Sequence, residues 1–203
     1  MSAENVSYYE DFNEIEKKLW SLLIRAVNDR NSEFRTPVFI CGDKNNLDGR
    51  VVVLRKANEK NISLQFHSDI RSTKIDIIKK NPNSSLLFYG KKEKIQLRMK
   101  VESNLHYNDE ITKESWDKTG HISRKCYLVT DGPGTKSEKP TSGLNNKFDN
   151  FDFTKEESEE GYKNFCVIKC KIKSIEWLYL AAKGHRRALI KFQGSKKFTW
   201  LIP

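Results

Sequence analysis

The sequence predicts a mainly β protein: an antiparallel barrel with a few helices packed outside it. Three observations lead there. Strand-like runs recur at roughly ten-residue spacing, helical periodicity is confined to a few segments, and no strand–helix–strand alternation marks a parallel sheet. The positive charge also collects in the same two blocks as the strands. Residues 44–101 carry fourteen basic and five acidic side chains, net +9, and residues 164–203 carry nine and one, net +8. The segments before and between are acidic, net −3 over 1–43 and net −4 over 102–163, within a whole-chain charge of +10. A barrel would bring the two basic blocks together around an anion.

The elements follow in order. Tyr8 to Asn28 reads as an amphipathic helix, with Phe12, Ile15, Leu19, Leu22, Leu23 and Ala26 at three- and four-residue spacing. Residues 1–30 form this N-terminal unit. Pro37 precedes the apolar run Val38–Cys41, and Gly42 to Gly49 reads as a turn. Arg50–Arg55 (RVVVLR) and Ile62–His67 read as strands. Thr73–Lys80 is a short helix stopped by Asn81-Pro82. Ser84–Tyr89 and Lys94–Asn104 are further strands joined by a tight Gly90–Glu93 connection. Asp109–Lys118 and Ser123–Leu128 are helical, and Asp131–Asp152 is a long loop without a core of its own. Residues 164–203 return to strands at Phe165–Ile172, Ser174–Leu180, Arg187–Phe192 and Lys197–Ile202. The whole, 1–203, reads as a single domain.

Composition narrows the function classes. No apolar run reaches the eighteen or so residues of a membrane helix, and the polar start MSAENVSYYED is unlike a signal peptide. A cytoplasmic protein, with no membrane partner, is expected. Cys41, Cys126, Cys166 and Cys170 form no CxxC pair and have no histidine at zinc-ligand spacing, so free thiols and no metal are expected. No P-loop, GxGxxG, GxSxG or HExxH is present, which disfavours ATPases, Rossmann dehydrogenases and the common hydrolases.

What stands out is polar chemistry at strand ends. Arg50 and Arg55 bracket an apolar strand, while Ser68, Arg71, Ser72 and Lys74 sit where a strand hands over to a helix. Hydroxyls, backbone N–H groups and a lysine at a helix start suit a phosphate monoester. An ordinary helix cap with a surface lysine is the alternative. Gln96 and Arg98 share one strand face, a binding face or solvent.

The ordered set Arg50-Val-Val-Val-Leu-Arg55, Phe66-His-Ser-Asp-Ile-Arg-Ser-Thr-Lys74, Asn81-Pro82, Leu86-Leu-Phe-Tyr89 and Gln96-Leu-Arg98 resembles pyridoxamine 5′-phosphate oxidase and its FMN-binding relatives. Trp177, His185 and Arg187 resemble the family's C-terminal Trp and His-x-Arg elements. The resemblance implies an FMN-binding split β-barrel and a homodimer with the flavin at its interface. It implies that Arg50, Val51, Val52, Val53, Leu54 and Arg55 line the flavin, with Arg50 also at the phosphate. His67, Ser68, Arg71, Ser72, Thr73 and Lys74 would hold the phosphate and ribityl chain, and Gln96 the ring. Trp177 and Arg187 would complete the cofactor site. A small-molecule substrate would meet Arg55, Trp116, Arg124, Lys183 and His185; the catalytic residue is not specified. The sequence departs from the family's pattern at Arg55, where the oxidases carry Lys, and in two further places. Thr73 stands where the oxidases carry Arg, and the substrate clasp reads Lys183-Gly184-His185. The implied activity is therefore an FMN-dependent oxidoreductase of open substrate, with pyridoxamine 5′-phosphate oxidase itself as the alternative. A basic barrel binding nucleic acid is the distant third, resting on net charge alone.

Overall fold

A computed structural model describes residues 9–43, 46–148 and 153–203. Helix α1 (Phe12–Asn28) begins where Asp11 caps it, its carboxylate accepting from the N–H groups of Asn13 and Glu14 at 2.8 and 3.0 Å. The helix is therefore shorter than the periodicity suggested; Tyr8 itself lies outside the described residues. Ile15, Leu19, Leu22, Leu23 and Ala26 form its buried face. No helix among the described residues is long and apolar enough to cross a membrane.

The strands are β1 (Val38–Gly42), β2 (Leu47–Val51), β3 (Leu54–Asn58), β4 (Ser63–Asp69), β5 (Asn83–Gly90) and β6 (Ile95–His106), then β7 (Phe165–Tyr179), β8 (Arg186–Lys191) and β9 (Lys197–Leu201). Their order is β2-β1-β5-β6-β7-β4-β3, with β8 added to β7 and β9 to β8, and all pairings are antiparallel. Helix α2 (Thr73–Lys80) links β4 to β5, while α3 (Glu110–Asp117), α4 (His121–Arg124) and α5 (Lys155–Ser158) lie between β6 and β7. The fold is mainly β with flanking helices, an antiparallel split barrel as expected.

Three strand assignments change in ways that matter. The run Arg50–Arg55 is not one strand. β2 ends at Val51, Val52 donates its N–H to Pro37 O at 3.0 Å, and β3 starts at Leu54. Because β2 and β3 are opposite ends of the sheet order, the RVVVLR segment crosses the split in the barrel. Sequence alone could not show this, since three consecutive valines read as strand interior whatever their pairing. Next, Phe165–Ile172 and Ser174–Leu180 are one strand: the register skips Lys173 as a bulge between Val101↔Ile172 and Lys100↔Ser174. The first half of β7 pairs with β4 and the second with β8. Finally, the expected Gly42–Gly49 turn is shorter, since β2 already begins at Leu47. Gly42 is required there, because a Cβ would lie 2.4 Å from Asn46 O.

The register separates two faces of the sheet. The row Arg50–Phe39–Leu86–Met99–Ile175–Ile190 faces the core, and all but its edge residue Arg50 are fully enclosed. The next row, Val51–Val38–Leu87–Arg98–Glu176–Leu189, faces outward. The long loop is not without a core: Leu144 packs against Leu128, Phe148 and Phe153. Cys41, Cys166 and Cys170 are buried and all four cysteines are free thiols. Burial pushes Cys166 and Cys170 up to about 12, so both stay protonated.

Candidate anion cradle and adjoining cleft

The handover from β4 to α2 concentrates polar groups that a core would normally exclude. Ser68, Ser72 and Lys74 are all more than nine-tenths buried. The Lys74 ammonium donates to Ser68 Oγ at 2.7 Å and to Ser72 Oγ at 2.8 Å, and Arg50 Nη1 reaches Ser72 Oγ at 3.3 Å. Ser72 is the N-cap of α2, yet its hydroxyl makes no capping bond; it is turned toward the two cations instead. Neither nearby carboxylate pairs with Lys74: Asp48 pairs with the cradle's own Arg50, and Asp69 pairs with Arg71 at 2.7 Å.

Lys74 is thus a buried cation held by neutral hydroxyls. Burial pulls its ammonium down from 10.5 to about 8, and neighbouring Arg50 pushes the same way. Arg50 adds a second anomaly, a buried Nε with no hydrogen-bond partner. An enclosed cation and an orphan guanidinium N–H, set at the start of a helix, are what a phosphate dianion would satisfy. The donor set therefore fits a phosphate-bearing cofactor.

The remaining expected site residues divide into groups. Arg71 lies beside the cradle but bonds to Asp69 and to the carbonyls of Val129 and Thr130. Thr73 is exposed on the first turn of α2, Val51 is exposed on the outer row, and Val52 and Leu54 are buried around half-buried Val53. Gln96 and Arg187 occupy the outer face, the side opposite Arg50. There Glu176 accepts from Arg187 at 2.9 Å and from Arg98 at 3.3 Å, and Arg187 Nε is also buried without a partner. Trp177 is enclosed on the core side, between Leu97 and Ala188 in register. One chain therefore does not bring Gln96, Trp177 and Arg187 into the Lys74 cradle.

His67 and Ser68 are consecutive on β4 and so point to opposite sides. His67 opens into a cleft of about 390 Å³ shared with Arg55, Gln65, Ser115, Lys118 and Lys169. Burial, with help from Arg55, drops His67 to about 3, so the imidazole is neutral at physiological pH. Gln65 Nε2 donates to Ser115 Oγ at 2.9 Å, tying β4 to α3. The lining holds four cationic side chains, Arg55, Lys56, Lys118 and Lys169, against the single carboxylate Glu114, which pairs with Lys118 at 2.6 Å. Arg55 has no ion-pair partner among the described residues.

Trp116 and Arg124, expected to meet the substrate, are buried against each other. The Arg124 guanidinium is fully buried over the Trp116 ring at 4.4 Å and donates to Trp116 O, Thr119 O and Ser158 Oγ at 2.7, 2.9 and 3.2 Å. Glu159 closes this knot, accepting from Arg124 and from Trp116 Nε1. Lys183 and His185 are exposed in the turn between β7 and β8 and do not line the cleft. Asp48, Glu176 and Lys169 escaped the sequence reading. A signal for Asp48 existed, since a period of two places it beside Arg50.

Residues 18–106, which hold the cradle and Gln96, match the family model described as pyridoxamine 5′-phosphate oxidase, FMN-binding domain. Over those residues the chain is similar to that domain. Its fold agrees with a pyridoxamine 5′-phosphate oxidase-related, FMN binding protein of Nostoc punctiforme PCC 73102, at TM-score 0.74 and 18% identity over 100% of both chains. PhzG of Burkholderia lata 383, solved with tetrahydrophenazine-1-carboxylic acid, gives TM-score 0.69 and 13% identity over 100% of this chain and 99% of that one. Comparison with curated proteins yields no significant match.

Proposed function

We propose that this single-domain protein is an FMN-binding oxidoreductase that acts as a homodimer on a small anionic molecule. The observation that carries the reading is Lys74, a buried ammonium with hydroxyl partners, next to the orphan Nε of Arg50. The FMN phosphate takes the place of the missing counter-charge. Lys74 and Arg50 would hold its oxygens; Ser72, which accepts from both cations, keeps its own hydroxyl proton to donate, and the Ser68 hydroxyl would turn to it from Asp69 O. Bound there, FMN supplies two-electron redox chemistry.

The opposed faces of the sheet support a dimer. Arg50 and Lys74 lie on the core side, while Gln96 and Arg187 stand on an outer face among Val38, Leu87, Leu178 and Leu189, none fully covered. A second copy laid on that face would cover these apolar side chains and offer partners to Gln96 and to the free Nε of Arg187. The cleft at His67 and Arg55 receives the substrate. Its surplus of cations favours an anion, and neutral His67 can donate or accept a hydrogen bond without adding charge.

Adding FMN to purified, flavin-stripped protein tests the reading. It should yield a yellow dimer that keeps its flavin through gel filtration, and Lys74→Ala should release most of it. Protein that stays colourless would refute the proposal. Release of hydrogen peroxide with pyridoxamine 5′-phosphate would assign the oxidase activity itself, although the enclosure of Trp116 and Arg124 leaves that substrate fewer grips.

A further inference from the structure

We infer that Arg71 is a positioning residue: it latches the loop 129–144 to the phosphate cradle and is not itself a phosphate ligand. Its guanidinium is already shared among four acceptors. Nε and Nη2 bond the two oxygens of Asp69 at 3.0 and 2.7 Å, while Nη1 and Nη2 bond Thr130 O and Val129 O at 2.9 and 3.2 Å. Asp69 is itself buried, so this fork is fixed from below. The Arg71 N–H also donates to Asp69 Oδ1 at 2.8 Å, so backbone and side chain are oriented by one carboxylate.

The carbonyls that Arg71 grips belong to the base of the loop. Val129 bridges Leu144, and Thr130 N donates to Gly143 O at 2.9 Å, so both ends of the loop meet at the latch. Gly132 lies against it: a Cβ there would sit 3.1 Å from Arg71 Cβ. On the other side, Arg71 directly precedes Ser72, which binds Lys74 and Arg50. Ile70 N bonds Asn164 O at 2.8 Å, and Asn164 Nδ2 bonds Tyr127 O at 2.8 Å, which ties the same corner to the chain entering the loop. Freeing the loop therefore loosens the 69–72 turn that presents Ser72. The geometry holds whatever the ligand; its effect on FMN retention rests on the flavin reading.

The experiment compares wild type, Arg71→Ala and the charge-neutral Gly132→Val in full-length protein, by hydrogen exchange of residues 128–144 and by the FMN dissociation rate. Arg71→Ala should speed exchange across the segment and accelerate FMN release by about tenfold. Gly132→Val, which pushes the loop off without removing a charge, should shift both in the same direction. The salt dependence of FMN affinity should be unchanged in Arg71→Ala, because no phosphate contact is lost. Unchanged exchange in Arg71→Ala overturns the latch. A lost salt dependence, or faster FMN release in Arg71→Ala but not in Gly132→Val, makes Arg71 a phosphate ligand and also overturns it. A wild type that never takes up FMN refutes the flavin reading instead, while the exchange comparison still decides the latch.

Discussion

Replacing Lys74 with methionine should make the flavin-free protein more stable while destroying its capacity to hold FMN. The wild-type ammonium is buried between two serine hydroxyls and near Arg50, which pulls it from 10.5 to about 8. At neutral pH that difference corresponds to about 3 kcal/mol against the charged form. Methionine fills nearly the same volume and removes the charge, but leaves Ser68 and Ser72 without their donor, at a cost of about 1 kcal/mol. The net gain is about 1–2 kcal/mol, or about 2–8 °C in melting temperature for a chain of this size. The sign with pH is fixed. A basic group whose folded value is depressed costs stability fully below about pH 8, and the cost disappears as pH rises through 8 toward 10.5. Thermal unfolding of stripped wild type and Lys74→Met at pH 7 and at pH 9.5 is the assay. The melting-temperature gap should favour the variant at pH 7 and shrink at pH 9.5. A variant that melts lower at pH 7, or a gap indifferent to pH, would refute the reasoning.

Three further outcomes follow from the same geometry. FMN affinity should be greatest between about pH 6, where the phosphate loses its second proton, and about pH 8, where free Lys74 loses its charge, and titration calorimetry should show it falling by up to tenfold per unit above that. His67, neutral down to about 3, supports the fold above pH 6.5 and withdraws that support as pH falls from 6.5 toward 3; His67→Gln should flatten this acid limb in equilibrium unfolding. Arg124→Met should cost about 2–3 kcal/mol through its lost buried hydrogen bonds while leaving the FMN dissociation constant of folded protein unchanged, by denaturation and flavin fluorescence respectively.

Much of this was legible because local chemistry and tertiary structure agree. The periodicity of α1, the Asn-Pro stop after α2 and the alternation of β6 each specify an element without long-range information. The cradle was legible for the same reason, since Ser68, Ser72 and Lys74 lie within seven residues of one another and one corner positions all three. Failures occurred where pairing decides. Nothing in Arg50–Arg55 shows that its two halves belong to opposite sheet ends, and the bulge at Lys173 looks locally like a strand break. Trp116 and Arg124 illustrate a different limit. An aromatic and an arginine eight residues apart suit a ligand grip as well as a buried stacked pair, and only the arrival of Glu159 and Ser158 from a distant segment decides between them.

The central claim is that the β4–α2 corner holds the phosphate of a flavin. Titrating stripped protein with FMN and with riboflavin, which differ only by that phosphate, tests it most directly. Wild type should bind FMN at least a hundredfold more tightly than riboflavin, and Lys74→Met should lose most of that preference. Equal affinity for the two ligands, or a preference that survives in Lys74→Met, would contradict the account.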